Sequence, residues 1–169
     1  MNSSSFSKKC KQIKLVISDV DGVLTDGGMY YSSKGEMMKK FNTKDGMGVE
    51  LLKQNNIKTI LMTKEKSEIV TKRGKKIKAD ATLIGITQKE KKLDEICKKF
   101  KINKINIGYI GDDINDQNAM KLVGLSASPS DAEKKIHDIS DYICEKKGGD
   151  GAFREFVNMI IEKRGKNEK

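Results

Sequence analysis

The run Asp19-Val20-Asp21-Gly22-Val23-Leu24-Thr25 sets two carboxylates one residue apart. In extended backbone such a pair faces one way, and a loop at a strand end can aim one at a phosphorus and the other at the oxygen that leaves. The two roles need opposite protonation states. Asp19 has to be ionised to attack, whereas Asp21 has to hold a proton for the departing alkoxide and later take one from water. Carboxylates this close repel a phosphate dianion unless a cation intervenes, which predicts magnesium bound by oxygen ligands. The run Gly111-Asp112-Asp113-Ile114-Asn115-Asp116 supplies further acid that could complete a metal site. Thr63 offers a hydroxyl and Lys89 a cation that can hold the transferring phosphoryl oxygens.

Taken singly these pieces are ordinary, since an Asp-x-Asp pair or a Gly-Asp-Asp run also closes turns and caps helices. Their positions give them weight. Ile13 to Ser18 is a short apolar, β-branched run that stops at the first acidic pair; Ile57 to Met62 stops at Thr63, and Ile105 to Ile110 stops at Gly111-Asp112. Each reads as a buried strand. Between them Leu93, Ile96, Cys97 and Phe100 fall at helical spacing, Val49, Leu51 and Leu52 precede Asn55-Asn56, and Phe153, Phe156, Val157 and Ile160 mark a helix near the C-terminus. Strands alternating with helices predict an α/β fold, a three-layer, Rossmann-like parallel sheet covered on both faces, with ligands at the carboxyl ends of its strands. Residues 29–41 break the alternation and read as an inserted β-hairpin turning at Ser32-Ser33-Lys34-Gly35.

The chain has 169 residues, which predicts one domain over 1–169 with its core from about 13 to 163. Hydrophobic residues at 36% and charged residues at 34% suit a soluble globular protein. No run reaches the roughly 20 apolar residues of a membrane span, and the start MNSSSFSKKC lacks a signal-type stretch, so a cytoplasmic protein without a membrane partner is expected. Cys10, Cys97 and Cys144 show no metal or disulfide spacing and read as reduced, Cys97 as core. The net charge of +10 comes from lysines scattered along the chain, such as Lys72, Lys75, Lys78 and Lys91, and aromatic residues are only 5%. That pattern fits solvated helix faces rather than a nucleic-acid footprint. The tail beyond Arg164 has no pattern and is expected to fray.

The segments ISDVDGVLTDGG from Ile17, ILMT ending at Thr63, Lys89 and YIGDDINDQNAM from Tyr109 resemble the four ordered motifs of the haloacid dehalogenase superfamily of phosphatases. FNTKDGMG from Phe41 and KKGGDGAFREF from Lys146 are similar to its small branch without a cap domain, so the resemblance runs from about Lys14 to Ile161. It implies that Asp19 is nucleophile and magnesium ligand, that Asp21 is acid/base and a ligand through its backbone carbonyl, and that Asp112 is the third protein ligand. Thr63 and Lys89 would bind the phosphoryl group, while Asp113 and Asp116 would support the metal by hydrogen bonds. Asn42, Thr43, Lys44, Asp45 and Gly46 would line a sugar site. The resemblance also implies a homotetramer whose hairpins build the interface, with the glycines at 148–151 in a mobile element over the substrate.

Lys64 stands where relatives usually have a glycine, Gln88 where an Asp is common and Lys147 where an Arg is frequent. Members of the branch act on phosphorylated acidic ulosonate sugars of eight carbons (octulosonate 8-phosphate) or nine (nonulosonate 9-phosphate). Glu65 takes the place of an Arg usual in the eight-carbon type, so the resemblance leans toward a nine-carbon, sialic acid-type substrate. Arg73 and Lys76 are then candidates to pair with its carboxylate. Two other readings are a receiver-type phosphoacceptor, which needs an Asp where the second strand ends in Thr63, and a non-catalytic relative.

Overall fold

The structure, a computed structural model, describes residues 3–165; the tail beyond Gly165 lies outside the described residues. In chain order the elements are α1 Ser3–Gln12, β1 Leu15–Ser18, β2 Tyr30–Ser32, β3 Gly35–Met38, α2 Thr43–Gln54, β4 Lys58–Met62, α3 Glu68–Lys76 and β5 Ala81–Leu83. They continue with α4 Lys89–Phe100, β6 Ile107–Ile110, α5 Ile114–Met120, β7 Leu125–Ser128, α6 Lys134–His137, β8 Tyr142–Ile143 and α7 Ala152–Gly165. Six strands form one sheet in the order β5-β4-β1-β6-β7-β8, every neighbouring pair parallel.

Alternation along the strands divides the core. Val16, Leu61 and Ile110 point to one face, where Val49 and Leu52 of α2, Cys10 of α1 and Phe153, Phe156 and Val157 of α7 cover them. Leu15, Ile17, Ile60, Met62 and Ile107 point to the other, under Leu93 and Ile96 of α4, Ala119 of α5 and Ile136 of α6. Helices therefore lie on both faces, the arrangement a parallel sheet needs to bury both of its sides. The N-terminal segment, polar in composition, is helical because Cys10 and the half-buried Phe6 give it one apolar edge to lay on this core. Cys97 is half-buried on α4, whereas Cys10 and Cys144 are the buried thiols.

The inserted hairpin is shorter than 29–41: β2 and β3 pair antiparallel over Tyr30–Met38 with a register shift between Tyr30 and Tyr31. It is also where bare apolar surface concentrates. Met29, Tyr30, Tyr31, Met37 and Met38 are all exposed. Among the described residues no helix is long and apolar enough to cross a membrane.

The register aligns the strand ends that matter. Ser18 of β1 pairs with Leu61 of β4 on one side and Ile110 of β6 on the other. Asp19, Thr63 and Gly111 therefore leave the sheet side by side. Ladder-like hydrogen bonds pin each exit: Asp19 donates its N–H to Ile110 at 3.0 Å, Thr63 to Leu83 at 2.9 Å and Gly111 to Ala127 at 3.2 Å.

Candidate active site

Asp19, Asp21, Thr63, Asp112 and Asp113 converge on one cleft of about 530 Å³, together with Lys64, Glu65, Ile114 and Asn115. Behind them sits Lys89, the first residue of α4, with none of its surface exposed. Its Nζ lies 2.9 Å from Asp19 Oδ1 and 2.7 Å from Asp116 Oδ1. Only the Asp116 contact has hydrogen-bonding geometry. Tyr109, also fully buried, donates its hydroxyl to the same Asp116 oxygen at 2.6 Å. The other Asp116 oxygen accepts the Asp112 N–H at 3.4 Å. Asp116 is thus a hub that ties the lysine, the tyrosine and the loop after β6 together.

The electrostatics follow from burying several acids around one ammonium. Burial lowers the affinity of Lys89 for its proton, but the Asp19 and Asp116 carboxylates outweigh it and hold the ammonium above its usual pKa. Burial, then the charge of Asp116, pushes Asp19 well above the usual carboxylate range, with Lys89 pulling against them. Burial and the neighbouring charges of Asp116 and Asp113 raise Asp112 to about 7. Tyr109, raised by burial and by Asp116, stays a phenol and a donor.

A cation would relieve this strain. One carboxylate oxygen each from Asp19, Asp112 and Asp116 lie within 4.8 Å of one another. Asp19 Oδ1, Asp112 Oδ1 and Asn115 Oδ1 are buried acceptors without a hydrogen-bond donor. Oxygen-only acceptors of this kind suit a small hard cation such as magnesium. Gly22 makes the approach of Asp112 possible: it has φ +86°, and a Cβ there would stand 1.9 Å from Asp112 Oδ2.

The remaining expected residues divide. Thr63 Oγ1 donates to Asp21 Oδ2 at 3.4 Å and accepts the Glu65 N–H at 3.1 Å, which turns Glu65 toward the cleft. Asp113 caps α5, accepting the Ile114 N–H at 2.6 Å. The residues expected at the sugar lie apart. Thr43, Gly46, Arg73 and Lys76 line a separate groove of about 380 Å³. Arg73 spends its guanidinium on the Asn42 carbonyl at 2.9 Å and on the Phe41 ring, 5.2 Å from its centroid. Asn42 caps α2 by accepting the Lys44 N–H, and donates to the Gly149 carbonyl. Asp45 is buried and accepts the Arg154 N–H at 3.0 Å. Burial raises its carboxyl to about 6.

The glycine segment is docked rather than loose. A Cβ on Gly148 would stand 1.9 Å from the Gly22 carbonyl, and the Gly149 N–H donates to the Val23 carbonyl at 3.0 Å. Glycine is needed here because two backbones meet. Sequence reasoning also passed over Tyr109, Asn115 and Lys39, the last of which reaches Asp21 Oδ1 at 2.6 Å from the hairpin. Asn115 stood within the acidic run and could have been picked out there; Tyr109 and Lys39 carry no local signal.

A family model for haloacid dehalogenase-like hydrolases matches residues 5–156. A Haemophilus influenzae protein named 3-deoxy-D-manno-octulosonate 8-phosphate phosphatase is 34% identical over 160 residues, which cover 95% of this chain and 89% of the relative. The crystal structure of such a phosphatase from Moraxella catarrhalis, in complex with magnesium, phosphate and KDO, has a TM-score of 0.92 at 34% identity. That match covers 97% of this chain and 94% of the other. The cobalt-bound form of the Haemophilus influenzae phosphatase has a TM-score of 0.90, also at 34% identity, over 94% of this chain and 92% of its own.

Proposed function

The chain belongs to the haloacid dehalogenase-like hydrolases, and from that premise we propose that it is a magnesium-dependent phosphatase of acidic ulosonate sugar phosphates. One observation carries the reading: unsatisfied buried oxygens of Asp19 and Asp112 lie beside the buried Lys89 ammonium, in a cleft that Asp21 and Thr63 also line. In the first half-reaction an Asp19 oxygen bonds to phosphorus, the bond to the sugar oxygen breaks, and Asp21 gives that oxygen its proton. In the second, water attacks the phosphorus, Asp21 takes the water's proton, and the bond to Asp19 breaks to release inorganic phosphate. Thr63 and Lys89 hold the phosphoryl oxygens, and Lys89 also opposes the burial and the Asp116 charge that favour the protonated form of Asp19. Asp19, Asp112 and the backbone carbonyl of Asp21 would hold magnesium, which would supply the positive charge that lets a phosphate dianion approach these acids. Asp116 would support that arrangement from behind, and Asp113 would support it from the cleft side, where it caps α5.

The nine-carbon preference argued from Glu65 gives way here. Relatives that match nearly the whole chain carry the octulosonate 8-phosphate name, so an eight-carbon substrate is the first reading. Glu65 lines the cleft beside Thr63 and sustains the nine-carbon sugar as the second reading. Phosphate release from octulosonate 8-phosphate and nonulosonate 9-phosphate with magnesium separates them. The first reading expects kcat/KM to favour the eight-carbon ester by about tenfold or more. The reverse preference would establish the second reading, and release from neither would end the phosphatase reading.

The exposed Met29, Tyr30, Tyr31, Met37 and Met38 support a homotetramer assembled through the hairpins, since large apolar side chains gathered on one exposed element favour a partner. In that assembly the residues at 42–46 and at 73 and 76 act on a sugar held between subunits. Light scattering at assay concentration is expected to give a tetramer; a stable monomer would remove the shared site.

A further inference from the structure

We propose that Lys39 is a positioning residue for the Asp21 carboxyl, so that the hairpin directs the group facing the leaving oxygen; this rests on Asp21 being the acid/base of a phosphatase. Lys39 lies just after β3, and only 1% of its side chain is exposed. Its ammonium joins two carboxylates, Asp21 Oδ1 at 2.6 Å and Glu36 Oε1 at 2.6 Å. Glu36 is anchored in turn, because its other oxygen accepts the Ser67 hydroxyl at 2.5 Å. Ser67 stands at the N-cap of α3, yet its side chain makes no capping bond. Its hydroxyl goes to Glu36 instead. A continuous line of polar contacts therefore runs from the start of α3, through the hairpin, to Asp21.

Asp21 needs such a line. Its side chain is 30% exposed and sits on a loop. Its side-chain contacts among the described residues are Lys39 on Oδ1 and Thr63, at 3.4 Å, on Oδ2. Lys39 fixes Oδ1, which leaves Oδ2 as the oxygen that carries the proton for the leaving group, and gripping the two oxygens from different directions stops the carboxyl from turning. Exposed ion pairs do little of this kind, but a shielded ammonium with two fixed partners has one place to be. Proton delivery depends on placement, and a displacement of about 1 Å can cost about a hundredfold.

The test separates positioning from mere support of the hairpin. An alkyl phosphate such as the sugar ester needs a proton on its departing alkoxide, whereas p-nitrophenyl phosphate does not. kcat/KM reports the steps through phosphoryl transfer to Asp19. Lys39→Met is expected to lower it by about 30-fold or more for the sugar ester and by less than about threefold for p-nitrophenyl phosphate. Lys39→Arg, which keeps the charge and the donors, regains most of the loss. Glu36→Gln, which loosens the far end of the ammonium, gives a smaller loss with the same bias between esters. Equal losses on both esters, or no loss on either, would overturn the role of Lys39 alone. A wild type that turned over neither ester would overturn the phosphatase reading and this role with it.

Discussion

Asp19→Asn is expected to abolish phosphate release and at the same time to make the metal-free protein harder to melt. The loss of activity follows from the chemistry, because an amide oxygen is a poor nucleophile; a fall of at least about 10⁴-fold is expected. The gain in stability follows from the surroundings. Asp19 is 4% exposed, and burial together with Asp116 opposes its charge. Asparagine has nearly the same shape and no charge to bury. Lys89 is not orphaned by the change, since Asp116 remains 2.7 Å away. A carboxyl whose pKa is raised on folding contributes stability that is fully present below its unfolded pKa and lost as pH rises through the folded one. Asp19, Asp112 at about 7 and Asp45 at about 6 all have that sign. The metal-free wild type is therefore expected to lose stability as pH rises from about 5 to about 7. Asp26, lowered by its Lys40 contact and the Gly28 N–H, and Glu36, where burial is outweighed by the Lys39 and Ser67 contacts, act in the opposite sense only in more acid solution. Asp19→Asn should flatten the slope and raise the melting temperature at neutral pH by about 2–4 °C for each kcal/mol relieved. Calorimetry without metal reads both; a variant that melts below wild type at neutral pH would contradict the strain assigned to Asp19.

Lys89→Met is expected to be the most destabilising change in the site. It leaves Asp19, Asp112 and Asp116 facing one another with no cation, and removing one member of a buried ion pair typically costs about 3–5 kcal/mol. That is a large share of the roughly 5–15 kcal/mol that holds a domain folded. Urea denaturation without metal should show a much lower midpoint. Adding Asp19→Asn to Lys89→Met should return part of the loss, because one of the stranded charges is then gone. Strict additivity in that cycle, or a Lys89→Met protein as stable as wild type, would show that Lys89 does not carry the charge balance of the site.

How far the sequence foretold these groups depended on the range of the signal. Asp19, Thr63 and Asp112 each follow a short β-branched run, and parallel pairing of such runs sets their ends together, so their meeting was legible before any coordinate. The cluster around Lys89 was legible only in part. Lys89 was legible as a cation for the phosphoryl group, but its partnership with Asp116 and Tyr109 spans strand and helix with no periodic mark. Lys39 shows the limit most clearly: it lies 18 residues from Asp21, in a hairpin whose exposed apolar pattern says nothing about where its polar ends go. β7 and β8 escaped notice because LSAS and YI are too short and too mixed to stand out from turns. Arg73 reads from the sequence as a partner for the substrate carboxylate; its contacts with the carbonyl of Asn42 and the ring of Phe41, which anchor it beside α2, carry no mark in the sequence.

The central claim is that Asp19 carries the phosphoryl group during turnover, and it can be read directly. Wild-type protein is mixed with magnesium and an excess of octulosonate 8-phosphate, quenched in acid during turnover and reduced with borohydride, which converts an aspartyl phosphate to homoserine. Peptide mass spectrometry should then find homoserine at position 19 and unchanged aspartate at 21 and 112. Steady phosphate release with position 19 unmodified, or with the mark on another acid, would contradict the assignment of Asp19 as the nucleophile.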